Sequence, residues 1–429
     1  MSGAPRVELR RLATITLGKM VQSHETAGAV EAPYLRAAHV QPNGRLVDLP
    51  DQRMWFTPDE LRQLTLRRDD VVIVEGGAGY GRSAVLREDM PGWGFQNSIV
   101  RLRPIGSRSE GRFLDYAVQA ALADGTIDSV VSTATIPHFT AEKVARLSIT
   151  ALSVPVQRGI ADYLDRETAQ IDAFIAKNEE LIALLTERRA AFITRAVTRG
   201  VDASVQLKES GAEWLGSVPI HWSVKRLAST VARARNGVWG ADPEGGEDDL
   251  RCVRVADFDR PKQRIHDDAL TLRKVTPSER AGRLLQDGDL LLEKSGGGEK
   301  SPVGFVVLYD RDEPAVCSNF VARVQLRHEM DPRFWTYVHG VLYRLRITEK
   351  SLKQSTGIQN LDQSVYFNEY VAVPPYQEQR SIADHIEHGT AEIDKTIAAA
   401  RRGIELARER RAALITAAVT GKIDVGVVA

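Results

Sequence analysis

Apolar side chains recur at alternating spacings of four and three residues along two separated stretches of this 429-residue chain. This is the heptad spacing of helices that pack against each other along one seam. Neither stretch contains proline, so each predicts a helix of roughly 40 residues, about 60 Å long. Asn178 is a polar member of the seam and is expected to fix its register. The positions expected to pair the helices are Leu164, Ile171, Ile175, Asn178, Ile182, Leu185 and Phe192 in the first stretch and Ile386, Ile393, Ile397, Ile404 and Leu414 in the second.

The two stretches are copies of one sequence. Residues 160–202 and 382–424 align without a gap, so that IADYLDRETAQID is answered by IADHIEHGTAEID and ERRAAFITRAVTRGVD by ERRAALITAAVTGKID. Tandem duplication favours pseudo-twofold symmetry, which suits a two-part target. A lone helix would leave its apolar stripe exposed, so we expect the two copies to pair antiparallel. An ordinary two-helix segment within one globular core is the alternative.

The segments before the two helices are related more loosely. DDVVIVEGG is matched by GDLLLEKSGG and FQNSIVRLRP by CSNFVARVQL, which are β-branched or apolar runs broken by glycine-rich turns. The predicted fold class is α+β, with two pseudo-twofold-related globular domains joined by two long antiparallel coiled-coil helices. The predicted division is a first domain at 1–154, a first helix at 155–202, a linker at 203–222, a second domain at 223–373, and a second helix with a C-terminal tail at 374–429.

Composition narrows the class of protein. The 57 basic and 57 acidic residues give a net charge of zero, which argues against a free-standing nucleic-acid binder unless partner subunits supply most phosphate contacts. Cys252 and Cys317 are too few for a disulfide scaffold and lack metal-ligand spacing. No stretch resembles a signal peptide or reaches transmembrane length, so we expect a cytoplasmic protein without a membrane partner.

Several motifs resemble catalytic or cofactor sites but lack an essential feature. VPPY at Val373–Tyr376 has valine where an amino-methyltransferase needs a side chain that accepts a hydrogen bond from the target amine. The glycines at Gly76–Gly81 are followed by a strand-like run instead of the helix that a dinucleotide site requires. GGGEKS at Gly296–Ser301 places Glu299 where a phosphate loop needs glycine. We therefore predict no catalytic residues, no bound metal and no cofactor.

The two glycine-rich loops occupy matching places in the two domains and carry polar side chains. Arg, Lys, Gln and Asn on flexible loops are suited to reading base edges or clamping a phosphate backbone. A hairpin turn that needs glycine for positive φ is the alternative. The candidate DNA contacts are Gly77, Tyr80, Arg82, Gln96, Asn97, Thr133, Thr135 and His138 in the first domain and Lys294, Ser295, Lys300, Ser318, Asn319, Thr356 and Gln359 in the second.

The order of these segments resembles the specificity subunit of type I restriction–modification systems across nearly the whole chain. The most specific pieces are SGAEWLGSVPIHW, VPPYQEQRSIADHI, and the paired DDVVIVEGG and GDLLLEKSGG segments. The first copy departs from the pattern, because VPVQRGIADYL lacks the Pro-Tyr-Gln-Glu stretch. The first domain also has no counterpart of the Trp-Leu-Gly linker.

The resemblance implies a non-catalytic subunit that chooses the DNA site. Each domain would be a target-recognition domain that reads one half of a bipartite site in double-stranded DNA, and the helices would set the unread spacer. The helices would also dock two methyltransferase subunits, which bring S-adenosylmethionine, and restriction subunits add translocation and cleavage in systems that also cleave. The alternatives are a coiled-coil scaffold that does not read DNA and a self-sufficient restriction–methylation enzyme.

Overall fold

The structure is a computed structural model that describes residues 5–25, 27–50, 52–131, 137–266, 271–298, 301–355 and 358–423. It divides into two compact units, and each is considered by itself. Unit 1 consists of residues 1–180 and 400–429, and unit 2 consists of residues 181–399. Both units combine short strands with helices, so the fold is mixed α/β.

Unit 1 contains short helices and strands and parts of two long helices. Its strands are β1 Arg6–Glu8, β2 Ala13–Leu17, β3 Val30–Leu35, β4 Val40–Gln41, β5 Arg45–Leu46, β6 Arg53–Phe56, β7 Val71–Val74, β8 Ser83–Val85, β9 Gly94–Phe95, β10 Ile99–Pro104 and β11 Ser148–Thr150. Its helices are α1 Pro58–Gln63, α2 Gly111–Ala123, α3 Thr126–Val130, α4 Ala141–Arg146 and the first part of α5 Val154–Arg199.

Unit 2 also contains short strands, short helices and parts of the two long helices. Its strands are β12 Leu207–Glu209, β13 Ser217–Pro219, β14 Ser223–Arg226, β15 Val231–Asn236, β16 Asp249–Val253, β17 Phe258–Asp259, β18 Arg264–Ile265, β19 Thr271–Lys274, β20 Leu290–Glu293, β21 Ser295–Gly296, β22 Val306–Leu308, β23 Ala315–Cys317, β24 Val321–Leu326, β25 Leu352–Ser355, β26 Ile358–Leu361 and β27 Tyr370–Val373. Its helices are α6 Pro277–Arg280, α7 Pro332–Arg344, α8 Gln363–Tyr366 and the first part of α9 Tyr376–Val419, whose last part belongs to unit 1.

The strand connections of the two units match. An antiparallel sheet has the order β2-β10-β7-β8 in unit 1 and β15-β24-β20-β22 in unit 2. A second sheet, with one antiparallel and one parallel pairing, has the order β6-β3-β9 in unit 1 and β19-β16-β23 in unit 2. The loosely related sequences before the two long helices therefore form the same arrangement of strands.

The antiparallel sheet is buried on both faces. Val71 and Ile73 of β7 belong to one core cluster, and Val72 and Val74 belong to another. Successive strand residues point to opposite faces, so a strand that is covered on both sides is apolar at every position. The same division places Leu290 and Leu292 of β20 in one cluster and Leu291 in another.

Both long helices contribute to both units. The main core of unit 1 includes Ile160 and Leu164 from the start of α5 together with Ile415, Ala418 and Val419 from the end of α9. The main core of unit 2 includes Ile382 and Ile386 from the start of α9 together with Ile193, Ala196 and Val197 from the end of α5. These residues occupy equivalent positions of the repeat. Each core contains the start of one long helix and the end of the other, and the two helices are exchanged between the units.

The segment at 203–222 is packed instead of extended through solvent. Strands β12 and β13 form a hairpin in it. Leu215, Val218 and Trp222 are buried and join the main core of unit 2. Its polar, glycine-containing composition reflects the turn of this hairpin, and its few apolar side chains supply the packing.

Candidate nucleic-acid interface

The first candidate loop begins where β7 ends. Gly77–Gly79 form a short 3-10 turn, and Gly77 has a φ of 76°. A Cβ atom added at Gly76 would lie 2.7 Å from Nδ1 of His138. Glycine at this position is therefore needed for the close approach of two segments as well as for the turn.

His138 lies against a carboxylate from that loop. Its Nδ1 is 2.9 Å from Oε2 of Glu75, and the Phe139 amide donates a hydrogen bond to the Glu75 carbonyl. The Lys143 ammonium group donates to the His138 carbonyl at 2.8 Å. The His138 side chain is 50% exposed, whereas that of Glu75 is 17% exposed. An accessible imidazole is thus held in place by a more buried acid.

The side chains of Tyr80 and Arg82 extend from the same loop into different surroundings. The Tyr80 hydroxyl donates to Asp128 at 2.7 Å, and this bond to a carboxylate raises the pKa of Tyr80. Arg82 lines a cavity of about 220 Å³ together with Asn43 and Arg411. The Arg82 guanidinium makes no side-chain hydrogen bond to the residues that the structure describes. It therefore remains able to bind an anion.

Gln96 and Asn97 form the tight turn between β9 and β10. The turn is fixed by its backbone, because the Gln96 amide donates to the Leu35 carbonyl at 2.9 Å and the Asn97 amide donates to the Lys19 carbonyl at 2.8 Å. A Cβ atom added at Gly18 would come within 2.1 Å of the Gln96 carbonyl oxygen. Both side-chain amides are half-buried and have no hydrogen-bond partner among the described residues.

The equivalent turn of unit 2 carries Ser318 and Asn319. The Ser318 amide donates to the Val253 carbonyl at 2.9 Å, and Gly237 packs so closely that an added Cβ atom would lie 2.0 Å from the Cys317 carbonyl oxygen. Ser318 is buried and Asn319 is exposed. The backbone of the turn is thus the same in both units, whereas the side chains differ.

The second glycine-rich loop is pinned by strand pairing. Ser295 of β21 pairs with Asn360 of β26, and the Ser295 hydroxyl is 2.5 Å from Oδ1 of Asn360. The buried Oε1 of Gln359 has no hydrogen-bond partner in the described structure. The Lys294 amide donates to the Phe320 carbonyl at 2.9 Å. Lys294, Ser295 and Gln359 therefore lie close to the turn that carries Ser318 and Asn319.

A cavity of about 470 Å³ brings part of the unit 2 set together. Ser295, Ser318 and Asn319 line it, with Trp239 and Phe320 as its aromatic members. Trp239 is 38% exposed and Phe320 is 45% exposed, so both rings are accessible. The polar members are among the candidates predicted from the sequence, whereas neither aromatic residue is, since no motif connects positions that are distant in sequence.

A group of arginines was also missed. Arg233 and Arg235 project from β15, an edge strand, and Arg283 lies nearby. Burial lowers the pKa of Arg235, and the positive charges of Arg283 and Arg233 lower it further. None of the three forms an ion pair with the described residues. The sequence VARARN could have indicated this group, because its two arginines are two residues apart and therefore share one face of a strand.

Four candidate contacts fall outside the described residues. They are Thr133, Thr135, Lys300 and Thr356.

The helix-pairing positions differ in burial. The buried members are Leu164, Ile171, Ile175, Ile386, Ile397 and Ile404. The partly exposed members are Asn178, Ile182, Leu185, Phe192, Ile393 and Leu414. The Asn178 side-chain amide donates to the Phe174 carbonyl of its own helix at 2.8 Å.

Each unit contains an ion pair between its parts of α5 and α9. In unit 1, Arg411 Nε is 3.1 Å from a carboxylate oxygen of Asp172, and Arg408 is 3.1 Å from Glu179. Arg411 also donates to the side-chain oxygen of Gln119 at 3.2 Å. These contacts bind the helices to each other and to α2.

The ion pair of unit 2 uses the equivalent positions. Arg189 Nε is 2.8 Å from a carboxylate oxygen of Asp394. In the repeat, Arg189 corresponds to Arg411 and Asp394 corresponds to Asp172. The arginine therefore comes from α9 in one unit and from α5 in the other.

A buried glutamine near the start of each long helix joins that helix to the strands and short helices that precede it in the chain, which we call the α/β part of the unit. In unit 1, the Gln157 side chain accepts a hydrogen bond from the Glu110 amide at 3.0 Å and donates to the carbonyls of Arg108 and Leu152. Gln157 is fully buried. Its role is not predictable from the sequence, because a lone glutamine gives no sign of burial.

The corresponding residue of unit 2 is Gln379. Its Oε1 accepts from the Asp331 amide at 2.9 Å and from Nε1 of Trp335 at 3.0 Å, and its Nε2 donates to the Pro374 carbonyl at 2.9 Å. Arg333 then reaches α9, where it pairs with Asp384 at 2.8 Å. The position of each α/β part on its helix is thus set by specific polar contacts.

The described residues include no group of three or more His, Cys, Asp or Glu side chains that could hold a metal ion. Cys252 and Cys317 are buried free thiols, and burial raises the pKa of each. Within the described ranges, no helix combines the length and the apolarity that a membrane span requires.

No family model matches the chain. Two curated proteins of the same kind are nevertheless similar to it over most of its length. The chain is 21% identical to the Type I restriction enzyme MjaVIII specificity subunit of Methanocaldococcus jannaschii over 367 residues, which are 85% of this chain and 81% of that protein. It is 22% identical to the Type I restriction enzyme StySPI specificity subunit of Salmonella potsdam over 360 residues, which are 83% of this chain and 74% of that protein.

Solved structures share the fold over nearly the whole chain. A chain from a structure titled for complex assembly and conformational transition of the type I R-M system has a TM-score of 0.66 at 14% identity and covers 99% of each chain. The HsdS subunit from Thermoanaerobacter tengcongensis has a TM-score of 0.51 at 15% identity and covers 98% of each chain. Together with the two curated relatives, this likeness supports the resemblance of the chain to the specificity subunits of type I restriction–modification systems.

Proposed function

We propose that the chain selects the DNA site of a type I restriction–modification complex, with each α/β part reading one half of a bipartite sequence. Residues 1–154 form the first target-recognition domain and residues 223–373 form the second. Residues 155–202 and 374–429 supply the spacer helices, and residues 203–222 connect the first helix to the second domain. The bases that each domain reads follow from its own loop side chains.

The observation that carries this proposal is the repeated strand topology with different side chains at matching turns. Gln96 and Asn97 lie between β9 and β10, whereas Ser318 and Asn319 lie between β23 and β24. A shared backbone frame with different hydrogen-bonding side chains is suited to reading two different half-sites. Base specificity comes from such contacts to base edges, whereas phosphate contacts position the protein.

The exchanged ion pairs support an antiparallel, pseudo-twofold coiled coil. In a twofold arrangement residue i of one copy meets residue j of the other, and j meets i. Asp172–Arg411 and Arg189–Asp394 have this relation within their own units. Such symmetry offers two equivalent docking sites, which fits two methyltransferase subunits. Restriction subunits with translocase activity join where the system also cleaves.

Catalysis belongs to the partner subunits in this proposal, and the chain itself needs no cofactor. Val373 ends β27, and the Pro374 carbonyl accepts a hydrogen bond from Gln379 near the start of α9. The VPPY segment therefore serves a strand-to-helix connection. A pure scaffold would not require two α/β domains with different loop chemistry, and a complex of this kind acts on DNA in the cytoplasm.

Co-expression with the methyltransferase encoded beside this gene tests the proposal. Host DNA is then sequenced for modified adenines, with the methyltransferase expressed alone as the control. We expect one two-part motif with a fixed gap, modified only when both proteins are present. A soluble complex of the two proteins that leaves the DNA unmodified would favour the scaffold alternative.

A further inference from the structure

The cavity of about 470 Å³ in unit 2 is built from segments that are distant in sequence. Trp239 follows β15, Val255 and Ala256 follow β16, and Ser295 belongs to β21. Ser318, Asn319 and Phe320 connect β23 to β24 and complete this side of the cavity. Because the lining residues lie on or next to paired strands, the cavity is formed before a ligand binds, as is usual for ligand pockets.

The aromatic walls are held in a defined orientation. The Arg273 guanidinium lies 4.5 Å from the centre of the Trp239 ring, and its Nε donates to the Trp239 carbonyl at 3.1 Å. This cation occupies one face of the indole. Trp239 and Phe320 nevertheless remain more than a third exposed. A flat ring entering the cavity can therefore stack against them.

Polar groups in the lining are suited to the edge of a heteroaromatic ring. The exposed Asn319 amide can both donate and accept. The Glu293 carboxylate is buried, and Arg260 holds it at 2.7 Å. Aromatic surfaces combined with an amide and a fixed carboxylate match the stacking and hydrogen-bonding surfaces of a nucleobase.

Positive charge lies on the strand that leads to the cavity. Arg235 on β15 is four positions before Trp239 in the sequence, and Arg233 shares its face. The guanidinium of Arg283 adds to this group, and its charge also acts on the nearby Glu279 carboxylate, although within the described ranges none of the three arginines is within salt-bridge distance of a carboxylate. Such a group is suited to the phosphates that carry a base. A free aromatic ligand without phosphate would make no use of it.

Unit 1 has different residues at the equivalent positions. The backbone bonds of Gly18 and Gly237 match, so Met20 corresponds to Trp239 and Ser98 to Phe320. Thr16 likewise takes the position of Arg235. At these three positions the two aromatic walls and Arg235 are therefore specific to the second copy.

We propose that the unit 2 cavity binds one nucleobase that leaves the duplex within the half-site read by the second domain. This base is distinct from the adenine that the methyltransferase subunits modify. The inference rests on the proposed DNA-reading function and adds base extrusion to its second half.

The test uses the intact complex with its methyltransferase subunits and duplexes that carry the modified motif. A fluorescent base analogue, 2-aminopurine or pyrrolocytosine, replaces each nucleotide of the second half-site in turn. Binding is followed by anisotropy and unstacking by the intensity of the analogue. Ala256→Trp fills the cavity from an exposed lining position. The control is Tyr370→Ala, which removes an exposed aromatic side chain outside the lining.

We expect a several-fold rise in intensity at one position other than the modified adenine. The rise disappears in Ala256→Trp, is reduced in Trp239→Ala, and persists in Tyr370→Ala. Specific binding without a rise at any position overturns the proposal, as does a rise that survives in Ala256→Trp. Failure of the wild-type complex to prefer its motif over a scrambled duplex would instead overturn the DNA-reading function.

Discussion

Arg411 of α9 forms a 3.1 Å ion pair with Asp172 of α5. The residues at the equivalent positions of the repeat, Arg189 of α5 and Asp394 of α9, also form an ion pair, with the two helices exchanged. The Arg411 side chain is 7% exposed, whereas the Arg189 side chain is 22% exposed. Equivalent contacts thus lie in unequal surroundings.

The four-residue set gives a graded stability prediction. Arg411→Ala removes a nearly buried guanidinium with several partners, and we expect it to lower the free energy of unfolding by about 2–3 kcal/mol. Arg189→Ala should cost about 1 kcal/mol, because its environment is more exposed. Arg408→Ala on the same helix is the matched control and should cost less than about 0.5 kcal/mol. Urea denaturation measures all three, and equal losses would contradict the role of burial.

The buried amide of Gln379 should be as important as a large core residue. Gln379→Ala leaves the Asp331 amide, Trp335 Nε1 and the Pro374 carbonyl without their partner, and each unpaired buried group costs about 1–3 kcal/mol. We expect a total loss near 3 kcal/mol, since such losses are not additive. Urea denaturation followed by tryptophan fluorescence measures it. The exposed Gln377→Ala should be neutral, and a neutral Gln379→Ala would show that these bonds are dispensable.

Acid should destabilise unit 2 through His339. This residue is fully buried against the Tyr366 hydroxyl, and burial lowers its pKa to about 3. An unfolded histidine titrates near 6.5, so between these values only the unfolded state takes up the proton. The free energy of unfolding therefore falls as the pH drops below about 6.5, by roughly 2 kcal/mol at pH 5.

Denaturation at pH 7.5 and pH 5 checks this contribution. His339→Gln should reduce the difference in stability between the two pH values by roughly 2 kcal/mol, whatever its effect at pH 7.5. His328→Gln, at an exposed position, should keep the wild-type difference. Identical differences in wild type and His339→Gln would rule out this source of acid sensitivity.

Domain exchange tests modular reading. Replacing residues 1–150 by the equivalent domain of a relative should change one half of the methylated motif and preserve the other half and the gap. The reciprocal exchange of residues 223–373 should alter the opposite half. Sequencing of modified adenines measures both, and a change in both halves from one exchange would contradict independent reading.

Insertion into α5 tests the spacer role. Four residues placed within 179–188 add about 6 Å of helix, or close to two base pairs of duplex length. We expect a longer gap in the methylated motif or loss of assembly. The same insertion within the exposed loop 243–247 is the control and should leave the gap unchanged. An unchanged gap with full methylation after the helix insertion would contradict the spacer role.

The repeat made much of the molecule predictable. Heptad spacing identified two stretches that largely coincide with α5 and α9, although both repeats continue past the helix ends at Arg199 and Val419, and the family resemblance is confirmed by the relatives. The partnership of His138 with Glu75 was not predictable, because sheet pairing joins positions that are distant in sequence. The packing of Trp222 was concealed by the polar residues around it. The antiparallel pairing, the domain division and the DNA contacts stay predictions.

The sharing of both long helices between the units has a consequence for synthesis. The unit 2 core draws on one continuous stretch of chain, whereas the core of unit 1 needs Ile415, Ala418 and Val419 in addition to residues near the amino terminus. Translation proceeds at about 5–20 residues per second, and domains generally fold as units. The part made first therefore waits with an incomplete core until all of unit 2 has emerged from the ribosome, so unit 2 should complete its folding earlier.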